Sequence, residues 1–378
     1  MNSKLGCFQS SGRMYKEEVE YDFLEDKFRI INSKAFRRLK YKTQVFINYI
    51  GDHYRTRLTH SLEVSQIAVY IARKLGVNEE LAEIIALSHD LGHPPFGHAG
   101  EGGLNAVNSE FGGFNHNTQA IRIVTKLEEQ FPHFTGLNLT LEVLDGILKH
   151  NGPIDKKNPS YNKLKEMLHN YPIDFANNAF LEAQIASLAD DIAYSKHDID
   201  DGVRAGFINL EDFCQINVFK DIYNKIATKY PNIEREIFKR EVLRNLGQFL
   251  IKDLIDTTHS NIVKFNITNT EKLIKSNEFI VAFSTPVAMM LKELKGFLFN
   301  HVYRNFRVER TRLKNKKIIQ DLFSHFINHP TTLPQTWQQG IDLKDEKALS
   351  IKITDYIAGM TDRFAVDEHK RIFDLYYY

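Results

Sequence analysis

Thiols are almost absent from this 378-residue chain, which has two cysteines, Cys7 and Cys214, and no C-x-x-C pair. A disulfide framework and a thiolate zinc finger are therefore excluded, and both cysteines read as packing residues rather than nucleophiles. So few thiols suit a reducing compartment. Charge of one sign is also lacking: 49 Lys+Arg against 48 Asp+Glu leave a formal charge of +1. No global field draws the protein to nucleic acid or membrane, and any anion binding must be local. No apolar run approaches the roughly 18 residues a membrane helix needs, and the N-terminus lacks the apolar core of a signal peptide, so the chain reads as cytoplasmic. Missing too are the G-x-x-x-x-G-K-[ST] phosphate loop and the H-E-x-x-H zinc-protease helix, while the glycines at 97–103 follow no strand. Sustained strand alternation and repeats are absent, and 43% hydrophobic content is ample for a substantial core. The pattern is mainly helical.

What the chain does have is histidine in one place. Six of its 15 histidines (His53, His60, His89, His93, His98 and His116) lie between positions 53 and 116, where even spacing would give about two or three. The centre of this region is IIALSHDLGHPPFGHAGE at 84–101. An apolar helical run delivers His89 and Asp90 side by side, and Gly92 with Pro94-Pro95 then turns the chain. His93, His98 and Glu101 follow. Upstream, Leu58, Leu62, Ile67, Ile71 and Leu75 recur at helical spacing and Gly76 supplies a stop. A short turn leads to the next helix, Glu80 to about Asp90, so His60 and His89 can meet where the two antiparallel helices pack.

Elsewhere, residues 1–21 read as a polar, loosely ordered segment. Residues 28–46 carry helical apolar spacing with Arg29, Arg37, Arg38, Lys40 and Lys42 among it, a solvated basic face or a phosphate-facing one. Glycines from Gly97 to Gly113 suggest a functional loop up to Asn117. Residues 117–150 read as helical, and 151–162 as an inserted polar loop. Residues 179–194 form a buried helix that nevertheless contains Asp190 and Asp191, and ionised carboxylates there require a metal or an arginine. From 210 to the end, amphipathic helices alternate with short breaks.

Histidine and carboxylate ligands without thiolate favour a borderline-to-hard divalent ion such as Mn²⁺, Mg²⁺, Fe²⁺, Co²⁺ or Ni²⁺. The residues indicate His60, His89, Asp90 and one later carboxylate. Metal held this way acidifies its water and polarises a phosphoryl oxygen, so phosphate-ester hydrolysis is the natural reaction class.

The elements His60, His89-Asp90 and the Asp of ADDIAY resemble the H…HD…D signature of the HD superfamily of metal-dependent phosphohydrolases. More narrowly, FRRLKYKTQVF, TRLTHSLEV, SHDLGHPPFGHAGE, FNHNTQA, ADDIAYSKHDIDD and DYIAGMTDRFA, in that order, resemble bacterial deoxyguanosinetriphosphate triphosphohydrolase-like proteins from about residue 22 to 370. The resemblance implies a mainly α fold over 22–378, with an HD helical bundle at about 55–205 and additional C-terminal helices at about 206–378. It implies hydrolysis of a deoxynucleoside triphosphate (dNTP) to the deoxynucleoside and inorganic triphosphate. His60, His89, Asp90 and Asp190 would hold the ion; Asp190 is preferred to Asp191 because Tyr194 and Asp198 then fall on the same helix face. Those two match substrate-contacting positions. His98 and Glu101 match a His/acid pair beside the scissile bond, His93 and His116 match histidines of the phosphate pocket, Arg57 matches a phosphate-binding arginine, and Gln44 lies against the deoxyribose. A homo-oligomer and a dNTP activator at a subunit interface are further implications.

Two alternatives stand beside this reading. One is another HD activity, a 5′-nucleotidase or nucleotide phosphodiesterase, and the other is single-stranded nucleic-acid binding through Arg29, Arg37, Arg38 and Lys40. The 355–365 block reads as a core helix capped at Thr361-Asp362.

Overall fold

A computed structural model describes residues 4–17, 22–44, 55–276, 278–340 and 342–377; His53 lies outside them. Among the described residues there is no strand, and three isolated bridges (Arg13 with Thr140, Thr43 with Thr56, Glu129 with Gly136) stand in place of a sheet. The fold is mainly α, as the periodicity predicts. No described helix is long and apolar enough to cross a membrane.

Three helices build the centre. The first, Arg57–Leu75, opens on a reciprocal cap between Thr56 and Thr59 and ends at Gly76. Asn78 then accepts from the Leu81 amide and starts Glu79–Ser88. Leu181–Arg204 packs across both. The inner face of the first helix is only partly the one the apolar spacing predicts: Ile71 and Leu75 lie on it and Leu58 and Ile67 pack against the core. That face comprises His60, Ser61, Val64, Ser65, Ala68, Ile71, Ala72 and Leu75, while Leu62 faces solvent. Small serine and alanine side chains let the neighbouring backbones approach closely, and that approach puts His60 on the inside.

Other segments depart from the sequence reading for local reasons. Residues 117–150 do not form one helix. His116–Arg122 runs into a π-turn at Ile123–Leu127, an irregular stretch carrying Pro132 and Gly136 follows, and Leu141–Lys149 restarts the helix. Conversely, the glycine-rich stretch after Gly97 is largely helical, His98–Val107. Its glycines serve close packing: a Cβ at Gly100 would sit 1.9 Å from the Pro95 carbonyl oxygen, and one at Gly103 would sit 3.2 Å from that of Lys316.

The described part of the N-terminal segment, residues 4–17, is polar but not loose. The Cys7 amide donates to Glu182 (2.9 Å), the Ser11 amide and hydroxyl donate to Glu142, and Arg13 pairs with buried Asp26 at 2.5 Å. Its polar groups have buried carboxylates as partners, which composition alone does not reveal.

Two apolar clusters hold the remainder. The larger joins the three central helices to Arg235–Lys264 and Thr285–Leu298. The smaller sets Phe96, Leu104 and Phe114 against Ile319, Phe323 and Phe326 of Phe306–Asn328 and Ile353 and Ile357 of Glu346–Ala358. Burying each such side chain contributes about 1.5–3 kcal/mol. The chain just after His89-Asp90 is thus gripped by helices more than two hundred residues downstream.

Candidate active site

Packing of the three central helices brings His60, His89 and Asp190 together, with candidate ligand atoms all within 4.8 Å of one another. His60 Nε2 lies 2.8 Å from Asp190 Oδ1, which is 3.8 Å from His89 Nε2. Asp90 adjoins them, its Oδ1 3.5 Å from His89 Nε2. Asp191 instead turns outward to Lys295 at 2.7 Å. Burial opposes ionisation of Asp90, but Arg57 and then His89 outweigh it and hold its carboxyl well below the usual carboxylate range.

The donor set fits a divalent cation. His89 Nδ1 lies 2.6 Å from the Ala86 carbonyl oxygen, to which it must donate, so in the neutral ring Nε2 carries the lone pair. That Nε2 is buried without a hydrogen-bond partner, and so is Asp90 Oδ2. Two bare lone pairs on buried atoms are costly unless a cation meets them.

A second cluster centres on Glu101. The sequence pairs this carboxylate with His98 alone; the structure shares it between two histidines. His98 Nδ1 is 3.2 Å from Oε2, whereas His116 Nδ1 and the His116 amide lie 2.7 and 3.0 Å from Oε1. Burial would raise the Glu101 pKa, but hydrogen bonds from His116 and then His98 hold it well below its ordinary value. His93 stacks on His116 at 3.9 Å between ring centroids, and burial keeps it neutral. Its Nε2 is 3.3 Å from Asp90 Oδ1, so the two clusters touch. His98 alone of these side chains is largely solvent-exposed, 69%.

Arg57 and Gln44 border the site from the other side. Arg57 donates through Nη1 to Asp90 Oδ1 at 2.8 Å, so in this structure it faces a carboxylate rather than open space. Gln44 Oε1 is buried without a partner. Just before it, Lys42 donates to the His93 and Ala358 carbonyls at 2.6 and 2.9 Å, and burial lowers its pKa to about 7. Asp362 accepts from the Thr43 amide and hydroxyl and from the Phe96 amide. The 355–365 block is therefore more than a capped core helix: it ties both sides of the site together.

Tyr194 and Asp198 sit four residues apart on Leu181–Arg204 and converge on a residue the sequence reading missed. Tyr303 donates to Asp198 Oδ2, and its hydroxyl is 2.5 Å from that of Tyr194. Burial raises the Asp198 pKa to about 8, so it is mostly protonated at neutral pH. Also missed were His197 and Glu63. His197 lies two helical turns after Asp190, and Glu63 lies three residues after His60, so periodicity places each on the same helix face as that candidate residue. One candidate residue drops out: Arg29, offered for nucleic-acid binding, is buried, held by Glu17, Glu25 and the Leu137 carbonyl. Arg37, Arg38 and Lys40 remain exposed.

Residues 57–195 match the HD domain, and residues 281–371 match the phosphohydrolase-associated domain. Helical bundle, histidine-aspartate cluster and these two matches define the class, an HD-domain phosphohydrolase. Proteins named deoxyguanosinetriphosphate triphosphohydrolase-like protein are similar along nearly the whole chain. That of Geobacter metallireducens is 46% identical over 377 residues, covering 97% of this chain and 93% of that protein. Those of Geobacter sulfurreducens and Parvibaculum lavamentivorans are each 44% identical, covering 97% of this chain and 93% and 95% of theirs. The chain belongs to this deoxyguanosinetriphosphate triphosphohydrolase-like family.

Proposed function

We propose that the protein hydrolyses deoxynucleoside triphosphates to the deoxynucleoside and inorganic triphosphate, using a divalent ion held by His60, His89, Asp90 and Asp190. The observation that carries this reading is the pair of adjoining clusters: buried lone pairs on His89 Nε2 and Asp90 Oδ2 beside a histidine set ordered by one carboxylate. The bound ion would polarise a phosphoryl oxygen and make water a better nucleophile at neutral pH. Glu101 orients His98, whose exposure leaves its ring free to give a proton to the leaving 5′-oxygen or take one from water. His93 and His116 line the phosphate side. Tyr194 and Asp198, held in place by Tyr303, contact the sugar, and Gln44 forms the wall that refuses a ribose 2′-hydroxyl. Arg57, committed to Asp90, acts here as the residue that positions that carboxylate.

The test is product analysis. Purified protein is incubated with Mn²⁺ or Mg²⁺ and each dNTP, alone and in pairs, and products are resolved by anion exchange. Pairs are included because the family resemblance implies activation by a second nucleotide at the interface of a homo-oligomer. Inorganic triphosphate is expected; pyrophosphate or single phosphates would refute the reaction and point to another HD activity.

A further inference from the structure

We infer that Glu63 and His197 are positioning residues for the metal centre, forming a hydrogen-bonded chain that fixes His60 with its proton on Nδ1 and its lone pair on Nε2. The inference rests on the metal-centre reading above. It begins at the outer end, where His197 Nε2 lies 2.5 Å from Glu63 Oε2. A carboxylate accepts and does not donate, so His197 carries a proton on Nε2, which in the neutral ring leaves Nδ1 bare. That Nδ1 faces His60 Nδ1 at 3.2 Å, with ring centroids 5.3 Å apart. Two lone pairs do not share that contact, so His60 Nδ1–H is the donor.

The far side of the His60 ring is then determined. Its Nε2 has no proton and points at Asp190 Oδ1 from 2.8 Å. Nitrogen and carboxylate lone pairs this close require a cation between them. A divalent ion supplies it; otherwise a second proton on His60 must. The structure therefore prepares His60 in the form a metal needs. His89 reaches the same form by a different route, donating Nδ1–H to the Ala86 main chain. Only the His60 route depends on side chains, and it ends at the surface: Glu63 is 38% exposed and its second oxygen is 3.6 Å from Arg55 Nε. Arg55 is itself anchored by Asp200 and Asp201 at 2.8 and 3.2 Å. His197 is buried, 1% exposed, so few arrangements other than this chain are open to its ring.

Partners that orient ligand histidines change metal affinity by roughly 10–100-fold when removed. The test uses the full chain, stripped with chelator and titrated with Co²⁺ by calorimetry, with retained helicity checked by circular dichroism. His197→Phe should weaken Co²⁺ binding by roughly 10–100-fold. His197→Asn should restore most of the affinity, because its side-chain oxygen can take the Nδ1 position and accept from His60. Glu63→Gln, tolerable at a half-exposed position, should weaken binding by a smaller factor: glutamine can donate to His197 and allow the reversed chain, which puts a proton on His60 Nε2. Long-range ¹⁵N–¹H correlation on the metal-free protein reads this directly: His60 Nδ1 carries a proton in the wild type, where the second proton on Nε2 stands in for the ion, and loses it in part in Glu63→Gln. Should wild type bind Co²⁺ while Glu63→Gln matches it in both affinity and His60 Nδ1 protonation, the positioning role is refuted and the metal centre stands. If wild type fails to bind Co²⁺ at all, the metal-centre reading falls and takes this inference with it.

Discussion

Asp362→Ala should do two things at once, and the structure gives their size. Asp362 is buried, 5% exposed, and one oxygen takes the Thr43 amide at 2.9 Å while the other takes the Phe96 amide at 2.8 Å. Alanine strands both main-chain donors, whereas the Thr43 hydroxyl can rotate to another acceptor. A buried unpaired donor costs about 1–3 kcal/mol, so two cost about 2–6 kcal/mol. Removing a buried carboxyl regains part of its desolvation, which brings the expectation to about 2–3 kcal/mol. In urea this lowers the midpoint by roughly 1 M. Asp362→Asn keeps one acceptor and turns an NH₂ towards the other amide, so it should cost about half as much. Turnover should fall in both variants, because Thr43 precedes Gln44 and Phe96 precedes the Gly97 turn that packs on Arg57. Co²⁺ affinity should hold, since none of His60, His89, Asp90 or Asp190 bonds to Asp362. An Asp362→Ala midpoint within roughly 0.2 M of wild type, with unchanged turnover, would show that the C-terminal block does not organise the site.

Two further outcomes follow from single positions. Burial raises the Glu182 pKa from 4.5 to about 7 against the main-chain donors that hold it, so the folded protein binds this proton more tightly than the unfolded chain. Its stabilising contribution is full below about pH 4.5 and is lost as pH rises through about 7. Glu182→Gln should flatten that dependence, and urea midpoints at pH 5 and pH 8 that fall in parallel in both proteins would contradict it. Gly97 has φ 55° and ψ −129°, and a Cβ there would meet Arg57 Nη2 at 2.8 Å. Gly97→Ala should therefore destabilise by about 1–3 kcal/mol and displace the arginine from Asp90, which thermal melting and turnover measure together; a variant with wild-type values in both would rule this out.

Much of this molecule is written locally. Helical periodicity, the Gly76 stop and the short turn after it are properties of short stretches, and they placed His60, His89 and Asp90 at the facing ends of neighbouring helices. The Asp190-Tyr194-Asp198 spacing is local in the same sense. What the tertiary structure decided is how side chains from distant elements meet. Which face of Arg57–Leu75 turns inward depends on how closely its neighbours approach, and small residues rather than leucines settled that. Glu101 has two histidines within reach and bonds both, so spacing alone could not assign it. Arg29 reads as a surface charge until the Leu137 and Asn138 carbonyls are seen against it. Tyr303, Asp362 and the Glu63–His197 chain join partners 105, 319 and 134 residues apart. A periodicity of 3.6 residues carries no information across such distances; the packed backbone does, because it alone fixes where each Cβ points.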